Sequence, residues 1–572
     1  MQEIINEIQK VVKDLFGVEE QVEFTRTDEQ FGDYATNVAL RLSKKVGQDT
    51  LLKLRISGNP REMAQKIVES LSHEGINKAE VAGPGFINLS LNSSFFVQDI
   101  LHNIQTSGGE YGSNKSGEAI TVVCEFPSPN MAKPFSVGHL RPALQGWAMA
   151  QVLRKSGYTV ITDNHLGDAG TPFGKWVVGF LRHSSEEKLA NDGINELARL
   201  YIEINTELKA EKLAGESQLA DEVQTWLQKL EAKDPEAVEY SERFNAISLE
   251  HMHQVLNRLG IETDYEYGEA KFVARGQELA DELLAMGVAV ESDGAVIIPL
   301  DDHGIETPVM LRKANGTALY ATTDLATIEF REKEWNPEKV FIHTGGEQAF
   351  YFHQLKVMAQ KAGYKDTIHH LWHGLIDQIN EDGTREKMSS RKGVVLLNDL
   401  LDEAEKRAAV LSKDGSQDDI KAVALGAIKF TDFKAERKSG MLFDWETMFN
   451  VHGFSGPAVQ YSAVRIKSIL EKTGASTPEP EATYSWEDEH ELLLLASTYP
   501  MLVEELSKSY ELHKLAHYLF SVAQAFNRYY ENTRVSDAPE PDRSARVWLI
   551  SLIGNILQDG LDTLGIPVPE KM

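Results

Sequence analysis

Residues 119–140 read AITVVCEFPSPNMAKPFSVGHL and decide the fold of the central part of the chain. The first eight residues are mostly apolar or β-branched, which predicts a buried strand. A proline-containing loop follows, and then a predicted helix with Leu140, Leu144 and Trp147 on one face. A second strand is predicted to begin at Val160-Ile161-Thr162. Short strands that alternate with helices predict a parallel sheet.

The composition predicts a globular protein from a reducing compartment. Of the 572 residues, 42% are hydrophobic and 25% are charged, and the net charge is −29. These proportions differ from those of disordered chains. A single cysteine, Cys124, allows no internal disulfide and no CxxC metal site, so we predict no protein-bound metal. Neither a signal-peptide pattern nor an apolar run of about 20 residues is found, which predicts a cytoplasmic protein with no membrane segment.

The sequence pattern predicts three domains, with boundaries at 1–115, 116–440 and 441–572. The first reads as a small α+β domain, because an amphipathic helix comes before an alternating strand at Phe86–Leu91. The second reads as a Rossmann-type parallel-sheet domain with a charge-rich helical insertion at about 181–290. The third reads as an all-α bundle.

One candidate phosphate site lies where the first central strand is predicted to meet its helix. The N–H groups at a helix N-terminus form an anion site. Gly138 lets a ligand approach the backbone, and Lys133 and His139 can donate to phosphate oxygens. The alternative is an ordinary turn in which the glycine and prolines serve only geometry.

Two further motifs are compatible with a nucleotide. Asn164–Gly174 contains three glycines just after a strand, which indicates either a backbone close to a ligand or a simple capped loop. Residues 387–393, KMSSRKG, form a cationic loop that can fold over a polyphosphate and neutralise its charge. On its own, this loop is more typical of a solvated basic turn.

Together the motifs resemble those of class I aminoacyl-tRNA synthetases. The HIGH signature of that class is similar to Ser136-Val137-Gly138-His139, and its KMSKS signature to Lys387-Met388-Ser389-Ser390-Arg391. Within the class the chain most resembles the arginyl-tRNA synthetases, over nearly its whole length. Two positions depart from the family pattern: Ser136 replaces the first HIGH histidine, and Gly453–Ala458 differs from the usual Gly-Asn-Thr-Gly-Pro-Tyr.

The resemblance implies ATP-dependent attachment of L-arginine to tRNA(Arg) through an arginyl-adenylate, with release of AMP and pyrophosphate. It implies that Mg²⁺ accompanies ATP, that tRNA binds before arginine is activated, and that the enzyme is a monomer. The acidic net charge does not oppose tRNA binding, because binding depends on a local basic patch. Two alternatives are a class I synthetase for another amino acid and a non-catalytic tRNA-binding relative, the latter supported only by Ser136.

The resemblance also implies roles for individual residues. The implied catalytic residues are His139, Lys133, Lys387 and Ser136. The implied ATP-binding residues are Gly138, His139, His165, Gly167, Asp168, His373, Gly374, Lys387, Met388, Ser389 and Ser390. The implied arginine-binding residues are Glu125, Asn130, Tyr320, Asp324 and Gln348.

The planar guanidinium of arginine carries five N–H donors and a permanent charge, so its site needs carboxylate and hydroxyl oxygens. Tyr320 and Asp324 are four residues apart and would share one face of a helix. We expect this pair to face the guanidinium, and Glu125, Asn130 and Gln348 to orient the amine and carboxylate. Without the resemblance, the favoured interpretation of Tyr320 and Asp324 would be a surface tyrosine and a helix-face acid.

Overall fold

The computed structural model describes residues 1–27, 29–106, 110–131, 134–168, 170–314, 319–379, 385–388, 396–412, 415–473 and 484–572. The chain folds into two compact units. The first consists of Met1–Asn114, Arg465–Glu505 and Ser521–Leu557. The second consists of Lys115–Val464, Leu506–Phe520 and Gln558–Met572.

The N-terminal residues form an α+β region with one antiparallel sheet, as predicted. Its helices are α1 (Gln2–Phe16), α2 (Val38–Leu42), α3 (Gln48–Leu54), α4 (Pro60–Ser70) and α5 (Ser93–Thr106). Its strands are β1 (Thr25–Arg26), β2 (Tyr34–Thr36), β3 (Ile76–Ala82) and β4 (Phe86–Leu91), in the order β1-β2-β4-β3. The alternation in β4 places Ile87, Leu89 and Leu91 in the core, since successive strand residues point to opposite faces.

The central region carries most of the strands. In chain order these are β5 (Thr121–Glu125), β6 (Thr159–Leu166), β7 (Tyr265–Gly268), β8 (Val290–Ser292), β9 (Ala295–Leu300), β10 (Ile305–Arg312), β11 (Lys339–Ile342), β12 (Ile368–His370), β13 (Ile376–Ile379), β14 (Arg385–Lys387) and β15 (Met441–Phe443). Its helices are α6 (Leu140–Lys155), α7 (Thr171–His183), α8 (Glu186–Asp192), α9 (Ile194–Ala214), α10 (Gln218–Glu231), α11 (Pro235–Arg258), α12 (Val273–Ala285), α13 (Tyr320–Trp335), α14 (Ala349–Lys361), α15 (Leu397–Leu411), α16 (Gln417–Phe433) and α17 (Trp445–Met448).

A five-stranded sheet in the order β12-β11-β5-β6-β7 lies at the centre of this region. All of its pairings are parallel, which confirms the predicted parallel-sheet fold. The buried residues of β5 explain why the sheet forms here, because strands covered on both faces read as continuous apolar runs. The carboxyl ends of the five strands share one edge, where α/β proteins bind their ligands.

Helices α7–α11 lie between β6 and β7 in the chain and share an aromatic core that includes Trp176 and Phe244. The range predicted for the helical insertion, about 181–290, also contains β7, a strand of the central sheet. This strand reads Tyr265-Glu266-Tyr267-Gly268, so it is short and lacks an apolar run. Strand β7 is defined by its hydrogen bonds to β6, and the sequence pattern does not indicate this pairing.

Two smaller sheets flank the central one in sequence. Strands β8, β9 and β10 form an antiparallel sheet, so the apolar strand at Ala295–Leu300 lies outside the parallel sheet. Strand β13 pairs antiparallel with β14 and parallel with β15. The hairpin of β13 and β14 holds Lys387 at its end.

From residue 441 onward the chain is mainly helical, as predicted, apart from β15. The helices beyond α17 are α18 (Gly456–Thr473), α19 (His490–Ser509), α20 (His513–Asn532) and α21 (Asp542–Thr563). Their apolar faces are well buried, with Tyr499 and Phe526 among the fully enclosed side chains. Within the part of the chain that is described, no helix combines the length and apolar character needed to cross a membrane.

Candidate active site

The carboxyl edge of the parallel sheet brings together the ends of β5 and β6. Asn130, in the loop after β5, forms a parallel bridge with Gly167, the residue after β6. The Met131 N–H donates to the Gly167 carbonyl at 3.0 Å. A Cβ on Gly167 would lie 3.2 Å from the Asn130 Cα, so any larger residue would require the two segments to move apart by a few tenths of an ångström.

A group of carboxylates surrounds the same edge. Burial raises the pKa of Asp324 to about 7, although the Tyr351 hydroxyl donates a hydrogen bond to it. Burial also raises the pKa of Glu269 to about 8, and the negative charges of Asp324, Asp168 and Glu125 raise it further. Burial raises the pKa of Asp168 as well. Carboxylates that oppose one another's ionisation in this way are typical of a site that binds a cation.

Among the described residues, no Lys or Arg forms an ion pair with Asp324, Glu269 or Asp168. Nε2 of the His165 imidazole lies 4.0 Å from the Asp324 Oδ1. Burial lowers the pKa of His165 to about 4, and the positive charge of Arg331 contributes. The imidazole is therefore neutral at physiological pH and supplies no counter-charge to Asp324. Burial of Asp324 outweighs the charge of Arg331, which acts to lower the Asp324 pKa without an ion pair.

Tyr320 and Asp324 lie one turn apart at the start of α13, as the spacing predicted. The Tyr320 ring meets the Tyr351 ring edge-on, with 4.8 Å between the centroids. The Tyr320 side chain is 58% exposed, so its hydroxyl can reach a ligand. Gln348, exposed at the start of α14, follows the carboxyl end of β11.

Glu125 differs from the other acids because it already has a cationic partner. Its Oε2 lies 2.7 Å from Nη1 of Arg331, and its Oε1 accepts a 3.2 Å hydrogen bond from the Ser128 hydroxyl. Arg331 also binds Asp163. A carboxylate has about four lone-pair sites, so Glu125 can still accept a hydrogen bond from a ligand amine.

The turn that carries Ser136 and His139 forms a compact cap at the start of α6. The Ser136 N–H donates to Nδ1 of His139 at 3.0 Å, and the imidazole stacks on the Phe135 ring at 4.9 Å. Because Nδ1 accepts a hydrogen bond, the proton of the neutral imidazole lies on Nε2. The Ser136 hydroxyl also lies 3.4 Å from Nδ1, so both the backbone and the side chain of residue 136 contact the His139 imidazole.

Lys387 and Met388 lie beside the strand that follows His373 and Gly374. The Met388 N–H donates to the Ile376 carbonyl at 3.0 Å, and Lys387 pairs with Asp377 in the hairpin. Gly374 comes two residues before Ile376. The cationic motif therefore begins within a few residues of the predicted ATP-binding segment.

The other end of the cationic loop returns to the glycine–histidine turn. Leu396 forms an antiparallel bridge with Ser136, and the Leu397 N–H donates to the Phe135 carbonyl at 3.4 Å. Ser389 and Ser390 lie outside the described residues, as does Lys133, and nothing is described of the Lys387 side chain. The segments just before and just after the cationic loop nonetheless connect it to the His373–Gly374 segment and to the glycine–histidine turn, which are the motifs predicted to meet at ATP.

His373 directly precedes Gly374 in the segment next to the cationic loop, and it is almost fully buried. Burial lowers its pKa to about 3, and the nearby charges of Arg141 and Arg437 contribute. Nδ1 of His373 is buried and has no hydrogen-bond partner among the described residues. A buried polar atom of this kind points to a ligand.

Four residues of this region were not predicted from the sequence: Glu269, Tyr351, Arg331 and Arg141. Glu269 and Tyr351 belong to the site because they interact with Asp324. Both come from segments with no recognisable motif. Arg331 carried a usable signal, since it lies seven residues after Asp324 and therefore on the same face of α13. Arg141 directly follows the glycine–histidine motif, and an arginine there reads as a surface residue until its burial is known.

One cluster outside this edge has ligand atoms within 4.8 Å of one another: His183, Glu203 and Glu207, on α7 and α9. Nε2 of His183 lies 2.8 Å from Glu207, and Glu203 pairs with Arg199 at 2.5 Å. Ion pairs within the protein thus account for these groups. The absence of a protein-bound metal stays a prediction.

Comparison with known proteins identifies the family. Three family models match: the class I (R) tRNA synthetase catalytic domain at residues 100–445, the DALR anticodon binding domain at 459–572, and the arginyl tRNA synthetase N terminal domain at 2–91. The arginine–tRNA ligase of Streptococcus thermophilus is 35% identical over 524 residues, which cover 90% of this chain and 91% of that protein. The chain belongs to the arginyl-tRNA synthetases.

Other members of the family agree with this assignment. The arginine–tRNA ligase of Streptococcus pneumoniae is 34% identical, with the same coverage of both chains. The solved arginyl-tRNA synthetase of Thermus thermophilus superposes with a TM-score of 0.81 over the whole of both chains, at 24% identity. This likeness supports the arginyl-tRNA synthetase fold. The resemblance predicted from the sequence motifs is confirmed.

Proposed function

We propose that this arginyl-tRNA synthetase attaches L-arginine to tRNA(Arg) in two steps at the carboxyl edge of its parallel sheet. The arginine carboxylate attacks the α-phosphorus of ATP and releases pyrophosphate, and a ribose hydroxyl of the terminal tRNA adenosine then takes the arginyl group from AMP. The observation that carries the proposal is the group of acids at the sheet edge, of which Asp324, Glu269 and Asp168 have no ion-paired Lys or Arg among the described residues. It lies at the same sheet edge as the glycine–histidine turn and the segments on both sides of the cationic loop.

The guanidinium of the substrate binds at Asp324 and Glu269, with the Tyr320 hydroxyl as an additional acceptor. These two carboxylates have the raised pKa values and lack a basic partner. A permanently charged guanidinium supplies the missing cation and spreads its donors over several oxygens. Lysine has a single ammonium with three donors and would leave some of these acceptors unpaired. Citrulline would leave a carboxylate without its cation.

The α-amino and carboxylate groups of arginine lie nearer the strand ends, where Glu125, Asn130 and Gln348 orient them. Oxygen atoms of Glu125 and Asn130 accept from the ammonium, and the exposed Gln348 amide donates to the carboxylate. This places the attacking carboxylate on the side that faces the glycine–histidine turn.

ATP lies between that turn and the segment from His373 to Gly374. Nε2–H of His139 and the backbone at Gly138 donate to phosphate oxygens, while Lys133 and Lys387 add positive charge as pyrophosphate leaves. The neutral His165, the close backbone at Gly167 and the carboxyl of Asp168 line the ribose side. Ser136 contributes by orienting His139, and Met388, Ser389 and Ser390 are further ATP-binding residues. Both steps depend on positioning and charge stabilisation, without a protein nucleophile.

The remaining expectations follow from the family. ATP enters with Mg²⁺ on its phosphates as part of the substrate. The enzyme works as a cytoplasmic monomer, and tRNA binds before arginine is activated. Residues 1–115 and 441–572 contact tRNA, and 116–440 carry the chemistry.

Aminoacylation with each labelled amino acid in turn, in the presence of total tRNA, tests this function. We expect charging with arginine alone. Charging with a different amino acid would identify a class I synthetase of other specificity. Binding of tRNA without any charging would identify a non-catalytic relative.

A further inference from the structure

Arg331 is a buried cation at the base of the carboxylate group. Its side chain is 4% exposed and forms ion pairs with two carboxylates that are themselves almost fully buried. Nη1 lies 2.7 Å from Oε2 of Glu125. Nε and Nη2 lie 3.1 Å and 2.6 Å from Oδ2 of Asp163. Glu125, the last residue of β5, lies beside Asp163 of β6 in the parallel pairing, so one guanidinium bridges the two carboxylates and offsets one of their two charges.

Arg331 and Asp324 lie on the same face of α13, seven residues and two turns apart. At 1.5 Å per residue, their Cα atoms are about 10 Å apart along the helix. The helix therefore presents an ion-paired cation at one end of the acid group and, at the other, a carboxylate on which the charge of Arg331 acts without direct contact. Asp324 and Glu269 lie at this second end, where no Lys or Arg of the described residues forms an ion pair with them.

The difference between the two ends of the acid group matters because the substrate is cationic at both of its ends. Free arginine carries an α-ammonium and a guanidinium, and each is attracted to carboxylates. A site with acids at both ends and no internal cation would accept the molecule in either direction. Only one direction brings the arginine carboxylate to ATP.

We propose that Arg331 is a specificity-determining positioning residue: it bridges Glu125 and Asp163 and offsets part of their negative charge, and thereby makes Asp324 and Glu269 the end that receives the substrate guanidinium. The proposal rests on the proposed function, since it concerns how arginine lies in that site. Without Arg331, the carboxylates of Glu125 and Asp163 would attract the substrate guanidinium and hold arginine in the reversed direction.

Reversed binding has a kinetic signature that a structural defect lacks. A substrate bound in an unproductive direction lowers kcat and KM for that substrate together, whereas a weakened site raises KM. For Arg331→Gln we expect kcat and KM for arginine to fall in parallel by about tenfold or more, the scale of losing a hydrogen bond between charged groups. KM for ATP should stay constant. A raised KM for arginine, or unchanged constants, would overturn the proposal.

Arg275→Gln is the matched control. Arg275 also pairs with a carboxylate of α13, Glu329, at 2.7 Å, but it lies on the outer side of the helix and is 32% exposed. We expect its kcat and KM to equal those of the unmodified enzyme. If the unmodified enzyme itself does not charge tRNA with arginine, the proposed function fails, which is distinct from a failure confined to the variant.

A second variant covers the case in which Arg331→Gln does not fold, because removing one member of a buried ion pair is strongly destabilising. Arg331→Lys keeps the charge but cannot bridge two carboxylates with a planar fork. We expect the same parallel fall of kcat and KM at a smaller size, with an unchanged circular dichroism spectrum. A folded Arg331→Lys enzyme in which KM rises, or neither constant changes, would contradict the proposal.

Discussion

Nη1 of Arg141, in the first turn of α6, donates a 2.8 Å hydrogen bond to the backbone carbonyl of Gly374. The same guanidinium donates to the Ser439 carbonyl at 2.7 Å and pairs with Asp432 of α16 at 2.5 Å. Arg141 and Asp432 are fully buried. Helix α6, which follows His139, and the segment that holds Gly374 are therefore joined by hydrogen bonds of one buried side chain, and these are the two sides proposed to enclose ATP.

Replacing Asp432 by asparagine tests this buried pair. The variant keeps the shape of the side chain but leaves the Arg141 guanidinium without its counter-charge. Breaking a buried ion pair on one side typically costs about 3–5 kcal/mol, so we expect a loss of that size in the free energy of unfolding. Urea denaturation followed by circular dichroism measures it.

The control for Asp432→Asn is Asp302→Asn. Asp302 pairs with Lys361 at 2.8 Å, but the Asp302 side chain is 61% exposed. Pairs of this kind contribute about 0–1 kcal/mol. Equal losses in the two variants would show that the buried pair has no special role in stability.

Removing the His139 imidazole should slow arginine activation. Loss of one preorganised donor to a developing negative charge typically costs about 10²–10³ in rate. We expect a fall of that size for His139→Ala in pyrophosphate exchange measured with tRNA present. His303→Ala, at an exposed position far along the chain, should exchange at the normal rate. Near-normal exchange by the His139 variant would exclude this residue from the mechanism.

The guanidinium assignment predicts that Asp324→Asn raises KM for arginine. The amide keeps one acceptor oxygen but carries no charge, and a hydrogen bond between charged groups contributes about 1.5–3 kcal/mol, which corresponds to about ten- to a hundredfold in affinity. KM for ATP should change little. Asp281→Asn is the control, because Asp281 pairs with Arg312 on the surface. An unchanged KM for arginine would place the guanidinium elsewhere.

The sequence predicted the parallel sheet and the Tyr320–Asp324 pair because both depend on local patterns. The apolar run of β5 and the helical spacing in α13 are visible without tertiary structure. The strand at Tyr265–Gly268 was not predicted, because its definition comes from pairing with β6. Glu269, which follows directly, was missed for the same reason.

Charge pairing inside the site could not be predicted either. Glu125 was expected to hold the substrate, and nothing in its own segment indicates that Arg331, more than two hundred residues later, already binds it. Ion pairs between distant segments depend on side-chain positions that only the fold determines. The motifs indicated where the chemistry lies, and the structure adds which of its carboxylates remain without a cation.

Arginine binding should depend on pH through Asp324 and Glu269, whose pKa values burial raises to about 7 and about 8. Below these values the carboxyls hold protons, and the guanidinium binds only their ionised forms. Affinity should therefore rise with pH, by about tenfold between pH 6 and pH 8 from Asp324 alone. Calorimetry in two buffers of different ionisation enthalpy should also detect proton release on binding.

Asp324 and Glu269 also make the stability of the ligand-free enzyme depend on pH, in the direction opposite to their effect on arginine affinity. Their pKa values in the folded protein lie above those in the unfolded chain, so between about pH 4 and pH 8 the unfolded chain binds fewer protons than the folded one. Their contribution to stability should fall as pH rises through this window, and arginine should restore it. In Asp324→Asn, the plot of arginine affinity against pH should become flatter at the acidic end of the range. In Asp281→Asn, the same plot should match that of the unmodified enzyme. An affinity for arginine that stays constant from pH 6 to pH 9 would mean that neither carboxyl receives the guanidinium.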